Sequence, residues 1–209
     1  GGPLMHSIAA KAVVKGPNAH PFYKWAAEAR PKDVPRWNFH KYLIGRDGRR
    51  YQLVADDQRA WHAGAGNWGT ITDVNSVSIG IELDNDGTAA FPNQQIDSLL
   101  LLLENLCTRL RIPRTQIVAH SDFAPTRKKD PGLLFPWKRL AEEGFGVWPA
   151  ADAPPAPMGF DPWMALRLLG YPVDDRAATV RAFHRRFRGM ETDVLDDEDL
   201  RILHALTRG

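Results

Sequence analysis

The chain's 209 residues allow one medium-sized domain with a small appendage, and 44% hydrophobic with 25% charged residues is ordinary for a globular protein. A net charge of +2 argues against a nucleic-acid partner, and the longest apolar run, Leu99 to Leu103, is far too short to span a bilayer. With Cys107 as its single cysteine the chain can form no internal disulfide; the thiol falls on the apolar side of a predicted helix, which favours a buried structural role. No signal-peptide pattern is visible, and the compartment cannot be read from the chain.

In chain order, the first clear punctuation is the strand-turn word Ile44-Gly45-Arg46-Asp47-Gly48. "RYQLVAD" (50–56) and "SVSIGIELDN" (76–85) are predicted strands. In the second, Ile79, Ile81 and Leu83 share one face, so Gly80 and Glu82 share the other. The strongest helix is predicted over residues 92–113, with Ile96, Leu99, Leu100, Leu103, Leu106 and Leu110 in one stripe. "TQIVAH" (115–120) follows as a short buried strand ending on His120. Strand-helix-strand order implies an α/β fold, a mixed central sheet flanked by helices, with ligands bound beyond strand ends.

A linker follows at 150–158, within a stretch from Trp148 to Phe160 that holds four prolines and cannot continue a helix. Residues 159–209 then form a small three-helix domain, near the lower size limit for independent folding. Val180, Phe183 and Phe187 recur at helical spacing, with arginines expected on the solvated side, and the last helix opens on acids that suit its N-terminus.

The chemistry gathers in "AHSDFAPTRKKDPG" (119–132). Imidazole nitrogen and carboxylate oxygen suit zinc, so His120 and Asp130 become candidate ligands if the loop folds back. Glu82, on the polar face of its strand, is a candidate general base, and Lys128 a candidate oxyanion stabiliser. Taken singly, each has a plainer reading: a hydrogen-bonded structural histidine, an Asp before a Pro-Gly turn, and a solvent-facing glutamate.

Those residues stand in longer words. "AWHAG" (60–64), "SIGIELDNDG" (78–87), "VAHSDFAPTRKKDPG" (118–132) and "LFPWKRLAEEGFGVWP" (134–149) strongly resemble the zinc-dependent N-acetylmuramoyl-L-alanine amidases with the bacteriophage-lysozyme and peptidoglycan-recognition-protein fold. The resemblance runs over residues 49–149. It implies that His120 and Asp130 are two of three zinc ligands, that Glu82 is the catalytic acid/base and Lys128 the transition-state cation, and that Trp61 and His62 border the substrate groove. It implies hydrolysis of the amide between N-acetylmuramic acid and L-alanine in peptidoglycan or muropeptides. It also implies a cell-envelope location, with the cytoplasm as the alternative. The tail, through "VRAFHRRFRG", is similar to a peptidoglycan-binding module; a helical packing appendage is the alternative.

The family's remaining zinc ligand, a histidine closing its first strand, has no matching word here. Residues 8–48 instead resemble the C-terminal part of a glutathione peroxidase, carried by "AKAVVKGPNAHPFYKWAAE" (10–28) and "VPRWNFHKYLIGRDG" (34–48). Trp37 and Asn38 match peroxidase positions, but the peroxidatic residue belongs to a part this chain lacks, which argues against peroxidase activity. The expectation is a chimera in which residues 1–48 supply a foreign strand-helix-strand unit that completes the sheet. His6 is then the first candidate for the third ligand, ahead of His20. The alternative is a metal-poor, inactive chimera that only binds peptidoglycan or serves as a structural fusion.

Overall fold

The computed structural model describes residues 41–208. His6, His20 and the expected strand-helix-strand segment up to residue 40 lie outside the described residues. Among the described residues the chain folds as two compact units, one from residues 41–65, 73–84 and 92–99, the other from 66–72, 85–91 and 100–208.

The first unit holds a mixed three-stranded sheet, β2-β1-β3, made of β1 (Tyr42–Ile44), β2 (Arg50–Gln52) and β3 (Ile81–Leu83). Across the expected strand-turn word, β1 and β2 pair antiparallel as a hairpin, with Ile44 opposite Arg50. Its turn closes through Gly45 N to Arg49 O at 2.9 Å. Gly48 takes φ +78°, and a Cβ there would lie 2.8 Å from the Gln94 carbonyl, so only glycine fits. β3 joins β1 in parallel, setting Glu82 beside Leu43. Ile81 and Leu83 are half-buried and Glu82 exposed, the alternation its sequence foretold. A single-turn helix, α1 (Val74–Val77), precedes β3.

The long helix α2 (Asn93–Leu110) buries Ile96, Leu99, Leu103 and Leu106 as expected, with Leu102 in place of Leu100. Its first turn also binds the sheet through polar groups. Gln95, fully buried, donates from Nε2 to Ile44 O at 3.0 Å and Asp84 O at 3.2 Å, and Ser98 Oγ donates to Gly48 O at 2.6 Å. Those bonds tie the helix to carbonyls at the strand ends; Ile44 O also accepts from Asp84 N at 3.0 Å. Cys107 is buried, and burial pushes its thiol above the ordinary value, as a structural cysteine requires.

In the second unit the expected strand over 115–120 is not formed. Residues 117 and 118 are half-buried and belong to no strand, Ala119 is extended, and His120 opens a one-turn helix, α3 (His120–Phe123). α4 (Trp137–Glu142) follows, then the three tail helices α5 (Pro162–Leu169), α6 (Arg176–Phe187) and α7 (Asp197–Leu206).

Each tail helix starts on an aspartate. Asp161 accepts from Trp163 N and Met164 N, Asp175 from Ala178 N, and Asp196 exchanges a capping box with Asp199. Leu166, Tyr171, Phe183 and Leu203 build their core, against which Trp68, Val147 and Trp148 also pack. The α6 arginines depart from expectation. Arg185 and Arg186 are only 4% and 5% exposed, their charges matched by Glu191 and Asp122 rather than by water.

No helix among the described residues is long and apolar enough to cross a membrane.

Candidate active site

The loop from His120 to Asp130 is wound by its own backbone. Ala124 N donates to His120 O, Lys128 N to Ala124 O, and Ser121 N to Asp130 O at 3.1 Å, which brings the loop's ends together. His120 Nδ1 and Asp130 Oδ2 consequently stand 2.9 Å apart. The imidazole stacks on Phe123 with ring centroids 5.1 Å apart, and its side chain is 16% exposed.

Burial pushes the Asp130 carboxyl up. The hydrogen bond and charge of His120, with the Lys128 ammonium nearby, outweigh that push and hold the group below the usual carboxylate range. His120, Asp130 and the half-buried Lys128 therefore form one cluster.

This donor pair fits zinc in chemistry and nearly in span. Nitrogen and oxygen ligands at about 2.0–2.2 Å from a tetrahedral ion are separated by about 3.3 Å, so an opening of about 0.4 Å would admit it. Among the described residues no third His, Cys, Asp or Glu joins the pair.

Glu82, Trp61 and His62 belong to the first unit. His62 Nε2 bonds Ser78 Oγ at 2.8 Å, and Ser78 spends its own proton on Val74 O at 2.6 Å. Nε2 therefore carries the imidazole hydrogen toward Ser78. A Cβ on Gly80 would meet the His62 ring at 2.4 Å, so the ring lies against the strand at the residue two before Glu82 and on its face. Trp61 is 52% exposed, with the Arg59 guanidinium 3.9 Å from its ring centroid. Arg59 in turn donates to Asp73 at 3.1 and 3.4 Å, and Asp73 accepts from Ser76 Oγ. The buried Asn75 accepts from Ala63 N at 2.8 Å and pins the Trp61–His62 loop.

Sequence reasoning passed over Asp122, which is fully buried and accepts from Ala119 N at 2.8 Å, from Arg186 Nη1 at 2.6 Å and from Tyr171 Oη at 2.9 Å. The available signal was an acid at the third position of a helix start, a capping pattern rather than a catalytic one. Arg59, Asn75 and Gly80 carried no comparable signal, because their roles depend on contacts distant in sequence.

With this geometry established, the chain can be set beside known proteins. The profile of the N-acetylmuramoyl-L-alanine amidase family, Amidase_2, matches residues 6–133. The Escherichia coli N-acetylmuramoyl-L-alanine amidase AmiD is 38% identical over 166 residues, covering 75% of this chain and 58% of that protein. The 1,6-anhydro-N-acetylmuramyl-L-alanine amidase AmpD of Enterobacter cloacae is 36% identical over 141 residues, covering 67% of this chain and 70% of that protein. Among solved structures, E. coli AmiD in complex with anhydro-N-acetylmuramic acid-L-Ala-D-gamma-Glu-L-Lys superposes with a TM-score of 0.76 at 30% identity, covering 100% of this chain and 90% of that one. The chain belongs to the N-acetylmuramoyl-L-alanine amidase family. Its α/β fold, a small mixed sheet flanked by helices, is that of its structural neighbours.

Proposed function

We propose that this protein is a zinc-dependent hydrolase that cleaves the amide between N-acetylmuramic acid and L-alanine in peptidoglycan or its muropeptides. The 2.9 Å approach of His120 Nδ1 to Asp130 across a loop that also presents Lys128 carries the reading. Family membership supports the reaction class, and the anhydro-muropeptide held by the E. coli neighbour supports the substrate class.

His120 and Asp130 would hold the ion, with His6 as the third ligand. When bound, zinc would supply Lewis-acid polarisation of the amide carbonyl and a water acidified to about pKa 7. Glu82 takes the proton from the attacking water and returns it to the departing alanine nitrogen. Lys128 offsets the negative charge gathering on the carbonyl oxygen. Trp61 and His62 border the groove and orient the substrate.

We also infer that residues 1–48, despite their likeness to a glutathione peroxidase, complete the amidase sheet in a chimera. The family match begins at residue 6 and runs through this stretch, which supports their place in the amidase frame. The domain reading also stands as a proposal: an amidase-like domain over 49–149, a linker at 150–158 and a peptidoglycan-binding tail over 159–209.

The test is zinc content by elemental analysis on the purified protein, together with release of peptide from anhydro-muropeptide and from sacculi, followed by mass spectrometry. Near one zinc per chain, lost in His120→Ala and His6→Ala alike, with peptide released, is expected. A folded protein with near-zero zinc and no release overturns the enzyme reading and leaves a chimera that at most binds peptidoglycan.

A further inference from the structure

The tail helices reach the His120 loop through buried polar contacts that a detachable wall-binding module does not require. Asp122 lies two residues after His120 on α3 and is fully buried. Apart from the local Ala119 amide, its hydrogen bonds come from far along the chain. Tyr171, just past α5, donates to Oδ1, and Arg186 of α6 donates from Nη1 to Oδ2. Arg186 Nη2 also donates to Ile117 O at 2.9 Å, gripping the segment that enters the site. Its guanidinium lies 4.1 Å over the Trp137 ring. A second bridge meets the loop's far side: Glu191, bonded to Arg185 at 2.6 Å, stands 3.8 Å from Lys129, the residue before Asp130.

A carboxylate without solvent is tolerated only when paired, and removing one partner leaves an uncompensated buried charge. Here both side-chain partners are supplied by the tail. Tyr171 keeps its proton, because burial and the Asp122 charge push its hydroxyl well above the ordinary value, so it remains a donor. α3 is a single turn, so a displacement of Asp122 is passed directly to the His120 ring.

We propose that the tail is a working part of the metal site: Arg186 and Tyr171 are positioning residues that hold Asp122, and through it the helix carrying His120, in ligating geometry. This rests on the zinc amidase reading above. It assigns the tail a role in catalysis whether or not it also touches the cell wall.

The experiment uses the full-length chain with Arg186→Met, Arg186→Lys, Tyr171→Phe and, as a control within the tail, Arg176→Met, which removes only a guanidinium stacked 4.4 Å over Trp163. Zinc affinity is measured by chelator competition, His120 ring resonances by NMR, and kcat and KM on anhydro-muropeptide. In Arg186→Met, which acts one contact beyond a ligand's own hydrogen-bond partner, zinc affinity should weaken by about tenfold, the lower end of what losing such a partner costs. The His120 resonances shift and kcat falls while KM holds, Arg186→Lys recovers part of the loss, and Arg176→Met behaves as the parent. Tyr171→Phe gives a smaller change in the same direction, and decides the matter if Arg186→Met does not fold. Folded Arg186→Met and Tyr171→Phe proteins with affinities within twofold of the parent and unmoved His120 resonances overturn the proposal. If the parent itself binds no zinc, the amidase reading fails separately, and the His120 shift in Arg186→Met alone still decides whether the tail positions that ring.

Discussion

The His62 imidazole lies so close to the backbone of Gly80 that a methyl group there would sit 2.4 Å from its ring. This contact seats His62 on the polar face of β3 beside Glu82, with Ser78 fixing the ring from Nε2. Gly80→Ala is expected to force the ring out. Overpacking of this kind costs about 1–3 kcal/mol, and muropeptide turnover should fall by more than tenfold. His62→Ala should restore the melting temperature of Gly80→Ala but not its activity. A Gly80→Ala protein with parental stability and turnover would refute the seating argument.

Local sequence made some of this architecture legible. The α2 stripe and the three tail helices follow from apolar spacing, helped in the last by its opening acids, and the turn after β1 from the strand-turn word at 44–48. The joining of His120 to Asp130 was also legible, because the nine residues between them include turn-forming Pro125 and Asp130 itself stands before Pro131-Gly132. The strand expected at 115–120 was misread because a short apolar run is equally compatible with part-buried chain outside a sheet, and only a ladder partner makes it a strand. The α6 arginines were misread for a related reason. Periodicity places charge opposite the apolar stripe, but it cannot show that Asp122, 64 positions away, will bury Arg186. Gln95 belongs with them, a polar residue whose partners, Ile44 O and Asp84 O, are set by tertiary folding.

On the proposed reading, Glu82 transfers the proton without holding the metal. It is exposed on β3 and belongs to neither the His120–Asp130 pair nor its loop. Glu82→Gln should therefore keep the parent's zinc content and melting temperature while losing about 10²–10⁴-fold in kcat. Parallel elemental analysis and kinetics test this; zinc lost together with activity would make Glu82 a ligand or a structural residue instead.

The tail carries an acid-sensitive lock. Arg188 donates to both oxygens of Asp196, at 2.8 and 3.0 Å, and also reaches the buried Asp199. The hydrogen bond from Arg188 is the largest influence holding the Asp196 carboxyl far below its ordinary value. A carboxyl depressed in the folded state stabilises fully above its unfolded pKa of about 3.9, and that stability is lost as pH falls toward the folded value. The melting temperature of Arg188→Met should therefore lie well below the parent's at pH 7, and the gap should narrow from about pH 5 to about pH 2. A gap independent of pH would show that Arg188 acts through packing alone.

Trp61 offers a half-exposed indole whose orientation is set from one side. The Arg59 guanidinium covers one face, Asp73 holds the guanidinium, and Ser76 holds Asp73, pulling its carboxyl below the ordinary range chiefly through that hydrogen bond. On the proposed reading, the exposed part of the indole meets an apolar sugar surface or peptide of the substrate. An exposed cation–π contact is worth about 0.5–1 kcal/mol, so Arg59→Leu should raise KM for anhydro-muropeptide about two- to fivefold through loss of indole orientation. Trp61→Ala, which removes the platform itself, should raise it by more. Neither should change kcat or zinc content appreciably, because neither residue belongs to the His120–Asp130 cluster. Steady-state kinetics on the two variants decides the point: a fall in kcat at unchanged KM would move Trp61 from the groove's rim to the chemistry.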